Sequence, residues 1–506
     1  MHTVTPDKGL ALYGAPAVSQ AHAVQLSQAE RTELQVREAV WRAWFNNDRA
    51  ALEKLLPHDL VGLTTATRNG THARSRLKAQ WGDMTTLTSG PLATSDAVAN
   101  SRVNAGPSLR RIASVDIVRG IVMIIMALDH CRDFFSNLPF EPETLSNTYY
   151  ALFFTRWITH FCAPLFFFLA GTGAFFYGRR HTRAELSHFL WTRGLWLIVL
   201  EFTVIGTSWS FLFPWGFFGV IWALGDSMVI MALLVRMPVR WLATMALLMI
   251  GAHDLFDQIG PQQFGSFAWL WSILHVRGSV FLPFHIPEYV LFPLVPWVGV
   301  MAAGYCFGTF YLLEEARRRK LLLQLGCGLT MAFCLLRITN LYGNPSVAMG
   351  GVSQGDWHVQ PTLEKTLILF LDVEKYPPSL QFLLMTLGPA FLLLASLGKR
   401  DNQLSSSEHT SRLLNAFLVF GRVPMFFYIL HLYFIHILAV TMAALFHQPM
   451  AWLFQGAVFG STPDNYGYGL PFVYLMWATT IVILYFPCRW WAGLKQRRKD
   501  WWLSYL

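Results

Sequence analysis

Apolar residues recur along most of this chain in runs of about twenty, separated by short polar stretches that carry the basic residues. A run of that length matches the ~20 residues an α-helix needs to cross a hydrocarbon core about 30 Å thick. Ten runs read as spans: 115–135, 155–178, 188–208, 212–235, 239–256, 288–312, 321–340, 378–397, 417–446 and 470–492. The segment Phe264–Leu274 is apolar but short, so it reads as re-entrant or interfacial and raises the count to eleven if it crosses. The pattern predicts an all-α polytopic membrane protein, a bundle of ten or eleven transmembrane helices. Residues 1–100 lack such runs and read as a small soluble N-terminal extension, with helical periodicity over Ser27–Leu56 carried by Leu34, Val40, Trp41, Trp44, Phe45 and Leu52. A Ser-, Ala-, Gly- and Pro-rich linker, Gly90–Ser108, leads to a membrane domain over 110–495 and a cytoplasmic tail over 496–506.

The basic clusters set an orientation. Arg110 and Arg111 precede the first span, Arg179, Arg180 and Arg183 follow the second, and Arg236 and Arg240 separate the fourth and fifth. Arg317 to Lys320 separate the sixth and seventh, Lys399 and Arg400 follow the eighth, and Lys495, Arg497, Arg498 and Lys499 follow the tenth. With ten spans every cluster falls on one side, which the positive-inside rule makes cytoplasmic, together with both termini. Residues 341–377 and 447–469 then become outer loops.

Composition agrees: 54% of residues are hydrophobic and 14% charged, with a mean hydropathy of +0.38, where soluble domains carry about 25% charged residues. The net charge of +9 sits in the loops between spans, which argues for a lipid bilayer as partner and against nucleic acid. The six cysteines lie within or beside the spans and form no CxxC pair, so neither a disulfide framework nor a metal site is expected. No apolar run follows a basic N-terminal region, so no cleavable leader is expected. A phosphate-binding G-x-x-x-x-G-K-[ST] loop is absent from the sequence.

Candidate chemistry concentrates in the first span. Asp116 and Arg119 sit three apart on one helical face, and His130, eleven residues beyond Arg119, falls on nearly the same face about three turns along. Charged groups in or beside an apolar helix are costly and mark function. His130 is the candidate general base, because imidazole titrates near neutrality. Asp133, at i+3, is placed to orient the ring, with Asp129 as the alternative. In the second span Arg156 and His160, four apart, are candidate substrate groups, as are Lys375 and Tyr376 in the loop ahead of the Pro377-Pro378 pair. Arg422, before Pro424, is placed to meet a phosphate. His431 and His436, five apart, diverge around a helix and suggest no metal. Glu201 and Asp226 are further intramembrane acids, expected to face the bundle interior, pair with Arg193 or line a path. Gly171 and Gly173 are read as packing positions.

Two resemblances add to this reading. The run VREAVWRAWFNNDRAALEKLLPHDLVGL, within residues 1–100, resembles the start of NTF2-like domains. The runs RIASVDIVRGIVMIIMALDHCRDFF, TRWITHFCAPLFFFLAGTGAFF, LVPWVGVMAAGYCFGTFY, EKYPPSLQFLLMTLGPA and FGRVPMFFYILHLYFIH together resemble bacterial membrane proteins related to heparan-α-glucosaminide N-acetyltransferase, over roughly 110–490. Asp116-x-x-Arg119-Gly120 followed by His130 is also similar to the opening span of the wider integral-membrane acyltransferase superfamily. That resemblance implies a catalytic role for His130, and for Arg119 a role in using acyl-CoA. It also implies a bacterial cytoplasmic-membrane enzyme that passes an acyl group, acetyl above all, from cytoplasmic acyl-CoA to a glycan-type hydroxyl or amine on the outer side. Asp116 and Arg422 would assist at the donor, and direct transfer and an acetyl-histidine intermediate both stay open. The competing classes are a secondary transporter or flippase using the buried acids, histidines and arginines as a path, and a membrane scaffold binding a partner through residues 1–100. The oligomeric state is open, a homo-oligomer included.

Overall fold

The computed structural model describes residues 112–211, 217–282, 286–344, 355–398, 412–454, 462–463, 465–498 and 500–504. The N-terminal extension, its NTF2-like run and its linker lie outside the described residues. Helices dominate. α1 is Ala113–Phe135, α2 Tyr150–Gly178 and α3 Arg183–Ser210. After the short strand β1 (Phe217–Phe218) come α4 (Val220–Leu234), α5 (Val239–Gly251) and α6 (Ala268–His275), then strands β2 (Gly278–Leu282) and β3 (Ile286–Val290). α7 (Leu294–Leu312), α8 (Glu315–Thr339), α9 (Leu363–Leu371), α10 (Leu380–Gly398), α11 (Arg412–Arg422), α12 (Pro424–Leu445) and α13 (Leu470–Arg497) complete the order.

Seven of these, α2, α3, α7, α8, α10, α12 and α13, are long and apolar enough to cross a membrane. The protein is therefore an integral membrane protein. α4 and α5 are apolar but shorter. α1 has the length for a span, with 23 residues, but carries Asp116, Arg119, Asp129, Arg132 and Asp133.

Three expected features differ: the all-α class, the start of the span at residue 288 and the single span over 417–446. The all-α reading misses a three-stranded sheet of order β1-β3-β2, in which β3 pairs parallel with β1 and antiparallel with β2. Residues 288–293, expected in a span, are the end of β3 and the turn before α7, because Pro293 precedes the first helical residue. The segment Phe264–Leu274, which makes an eleventh span only if it crosses, holds a 3-10 turn and the eight-residue α6; eight residues rise about 12 Å, far short of the ~30 Å core. Lastly, residues 417–446 are two helices. The chain breaks at Val423 (φ −131, ψ 48) and restarts with Pro424 in the first turn of α12, where a missing N–H costs nothing.

Glycines set the closest crossings. A Cβ on Gly120 would lie 1.9 Å from the Phe417 carbonyl oxygen, and one on Gly421 would lie 1.8 Å from that of Asp116. α1 and α11 thus touch backbone to backbone, running antiparallel. α2 and α7 cross in the same way, with Gly171 against the Met301 carbonyl and Gly304 against that of Phe168. Gly173 faces open space instead, so only Gly171 of the expected pair packs a helix. α1 lies at the centre of the bundle, in contact with α2, α10, α11, α12 and α13. Its buried Val122, Met126 and Phe134 belong to the main core.

Candidate active site

His130 lies near the C-terminal end of α1, partly buried, where α3 and α12 close on it. Its Nδ1 is 2.7 Å from Nε2 of His431, on α12. The two rings stack at 5.0 Å with planes 17° apart. His431 is fully buried, and its Nδ1 lies 2.9 Å from the Phe427 carbonyl, one turn back on the same helix. Trp209 of α3 meets His130 edge-on at 5.1 Å, and Tyr428 does so at 6.3 Å. The other imidazole nitrogen of His130, Nε2, has no hydrogen-bond partner among the described residues.

The last turn of α3 reaches this chamber because the helix loosens into a π turn over Glu201–Ile205. The Glu201 carboxylate accepts from the backbone N–H groups of Ile221 and Trp222, both at 3.1 Å. It therefore caps the N-terminus of α4, where unpaired amides and the helix dipole favour an anion. Glu201 is thus buried as expected but is spent on α4. His436, one turn and a half beyond His431, stacks on Phe211 at 4.1 Å and places Nδ1 2.8 Å from the Ser208 carbonyl.

Beside His130 lies a buried ionic lattice. Asp129 accepts from Arg156 Nη1 at 2.5 Å and pairs with Arg132 at 3.1 Å; Asp133 pairs with Arg132 at 2.6 Å. Arg156 also donates through Nε to Glu143 at 2.8 Å, and His160 Nε2 is 3.5 Å from the same carboxylate oxygen. Neither Asp129 nor Asp133 hydrogen-bonds the imidazole of His130. The guanidinium groups of Arg132 and Arg156 offer each carboxylate a full countercharge at hydrogen-bond range, which a neutral imidazole does not match; His431 holds the ring instead. Glu143 lies outside the spans, between α1 and α2. Burial would raise its carboxyl, but Arg156 and His160 outweigh burial and hold it well below the usual carboxylate range.

Lys375 joins this chamber from the loop between α9 and α10. It is 8% exposed, stands over the Tyr376 ring at 5.0 Å, and its charge is felt at Asp129, His130, His160 and Cys162. Arg277 covers Tyr376 at 5.5 Å, and Phe292 meets it edge-on at 5.2 Å. The loop is held by Arg337, fully buried at the end of α8, which donates to the carbonyls of Gly355, Leu369, Phe370 and Asp372 at 2.5–3.0 Å. Thus the expected substrate groups Arg156, His160, Lys375 and Tyr376 do converge, although they come from separate parts of the chain.

The expected donor groups lie elsewhere. Asp116 and Arg119 pair at 3.0 Å at the other end of α1, with Arg119 also donating to the Gly421 carbonyl at 3.4 Å. The eleven residues from Arg119 to His130 span about 16 Å of helix. Arg422 lines a cavity of about 1230 Å³ between α1, α11 and α13, with Ile121, Phe417, Tyr485 and Arg489 among its walls. Among the described residues no group of three or more His, Cys, Asp and Glu side chains is arranged to hold a metal.

Sequence reasoning passed over His431 as an orienting group, Glu143 and Arg337. The spacing of His431 after Pro424 was visible, but its partner lies 301 residues away. Glu143 stands in a polar loop with nothing local to mark it, and Arg337 is a lone charge near the end of an apolar helix whose carbonyl partners lie far along the chain.

A search of curated proteins finds no match. Residues 111–337 match the family model for heparan-alpha-glucosaminide N-acetyltransferase, catalytic. His130, Asp129, Asp133, Asp116, Arg119, Arg156 and His160 fall inside the matched range; Lys375, Tyr376, Arg422 and His431 fall beyond it. Through residues 111–337 this membrane protein is related to the heparan-alpha-glucosaminide N-acetyltransferase family, a relation that implies a transferase.

Proposed function

We propose that the chain is an integral-membrane acyltransferase that moves an acetyl group from acyl-CoA to a hydroxyl or amine of a glycan-type acceptor, with His130 as the base. The observation that carries this reading is the setting of His130: one nitrogen is fixed by His431, and the other, Nε2, is left without a protein partner in a chamber lined by Trp209 and Tyr428. In the direct route, Nε2 takes the acceptor's proton while the acceptor oxygen or nitrogen attacks the thioester carbon. As the C–S bond breaks, the imidazolium returns that proton to the departing thiolate. In the covalent variant Nε2 itself attacks the thioester carbon, the C–S bond breaks and the thiolate leaves, and the acceptor then attacks the acetyl-imidazole, giving up its proton, which balances the one the thiolate takes up as free thiol.

The acceptor would approach across Arg156, His160, Lys375 and Tyr376, with Lys375 as the cation near the reacting carbonyl. Asp129 and Asp133 act through Arg132 and Arg156, fixing α2 beside α1, rather than through His130. The donor phosphates would meet Arg422 and Arg119, with Asp116 holding Arg119. The bilayer supplies the two faces that separate donor from acceptor.

The reading is tested by incubating protein in lipid nanodiscs with acetyl-CoA and a panel of amino sugars and short oligosaccharides, and following products by mass spectrometry. Gain of one acetyl group on an acceptor, with stoichiometric thiol release, is the expected result. Unmodified acceptors together with acetyl-CoA that neither binds nor turns over would return the buried charges to a transport path.

A further inference from the structure

We propose that His431 is the positioning residue that fixes the proton of His130 on Nδ1, so that Nε2 always presents its lone pair to the chamber. The hydrogen-bond chain alone decides the tautomer. The Phe427 carbonyl can only accept, so His431 Nδ1, 2.9 Å away, must carry a proton. In a neutral imidazole the other nitrogen then has no proton, so His431 Nε2 is an acceptor. His130 Nδ1, 2.7 Å from it, must therefore donate, and neutral His130 holds no proton on Nε2.

This device replaces the carboxylate that commonly stands behind a catalytic histidine. The two acids nearest in sequence, Asp129 and Asp133, are committed to Arg156 and Arg132. A neutral imidazole is the milder partner. It sets the tautomer and the ring plane without adding a full charge to hold the imidazolium once formed, so the proton passes on readily to the leaving thiolate. Burial of His431, its stacking on Phe427 at 5.0 Å and the regular α12 backbone fix the chain from behind.

The inference rests on the reading of His130 as the transfer residue, but its first test does not depend on activity. Protein labelled with ¹⁵N-histidine in nanodiscs is examined by solid-state NMR at neutral pH, the His130 signals being assigned by their loss in His130→Asn. The expected wild-type pattern is a protonated Nδ1 and an unprotonated Nε2. In His431→Leu the pattern should shift toward a protonated Nε2, and in His431→Gln, whose amide oxygen can still accept, it should stay as in the wild type. A protonated Nε2 in the wild type, or an unchanged pattern in His431→Leu, would overturn the proposal.

The second test is kinetic. His431→Leu should lower kcat by about 100-fold, the range of a positioned base, with acetyl-CoA binding unchanged and most of the loss recovered in His431→Gln. Equal losses in the two variants would also overturn it. If the wild type shows the expected nitrogens but no acetyl transfer to any acceptor, the positioning stands and the proposed function falls.

Discussion

At the scale of single residues, the chamber separates two kinds of buried polar group. His130 and His431 form a neutral chain with one nitrogen left over, whereas Asp129, Asp133, Glu143, Arg132 and Arg156 pair with one another as ions, with Asp129 Oδ1, Arg132 Nε and Glu143 Oε2 buried and making no hydrogen bond among the described residues. The lattice is thus a structural clamp whose parts depend on one another. Removing one ion from such a network leaves a buried charge uncompensated, at a cost of about 3–5 kcal/mol. Arg156→Met should reach that range in denaturant titration of the solubilised protein, because both Asp129 and Glu143 lose their closest cation; a change below about 1 kcal/mol, the scale of a surface pair, would show the lattice to be solvated. His130, Asp129, Asp133, Arg156 and His160 were legible because charged residues stand out against an apolar run. Their pairing was not, since i, i+3 spacing along α1 offers Asp133 both to His130 and to Arg132, and only the approach of α2 and α12 decides. Asp133 went to the arginine, and a histidine from another helix took the imidazole.

At the scale of elements, the apolar runs foretold where helices would lie better than where they would break. Pro424 marked the start of α12, but nothing in the hydropathy of 417–446 showed that α11 runs antiparallel to α1 and that the chain turns back at Val423; the close contacts of Gly120 and Gly421 carry that information. The segment after α5 teaches a similar lesson. His253 and Asp254 close its end, with His253 Nε2 3.1 Å from Asp254 Oδ1, while Asp254 Oδ2 accepts from the Leu380 amide at 2.9 Å and so caps α10. Burial alone would lower the pKa of His253, but the bond to Asp254 outweighs it and raises the imidazole above its ordinary value. Its contribution is therefore complete below about pH 6.5, the unperturbed value, and is lost as pH rises through the raised folded value. Hydrogen exchange at the Leu380 amide, corrected for intrinsic rates, should become faster as pH rises above about 6.5 and through the raised value of His253, and His253→Asn should flatten that dependence. Exchange that does not vary with pH in the wild type would remove His253 from the cap.

At the scale of the whole molecule, the account joins a donor end and an acceptor end through α1, with Asp116 and Arg119 at one end and His130 at the other. By the positive-inside rule the basic loops would put the two ends on opposite sides of the membrane. In a cysteine-free background, single cysteines at His181 and His358, both exposed outside helices and strands, should be labelled by an impermeant maleimide from opposite sides, His358 from outside; labelling of both from one side would contradict the topology. The membrane character and the family relation were readable from the chain because hydropathy and the first-span motif are local. The chamber itself was not, since Lys375 and His431 reach it from beyond the matched 111–337. The central claim is that His130 performs the transfer, and the most direct measurement is thiol release from acetyl-CoA by wild-type protein and by His130→Ala in nanodiscs, with donor binding followed in parallel. The account predicts release by the wild type alone, with His130→Ala folded and still binding the donor. Undiminished release by His130→Ala would contradict it.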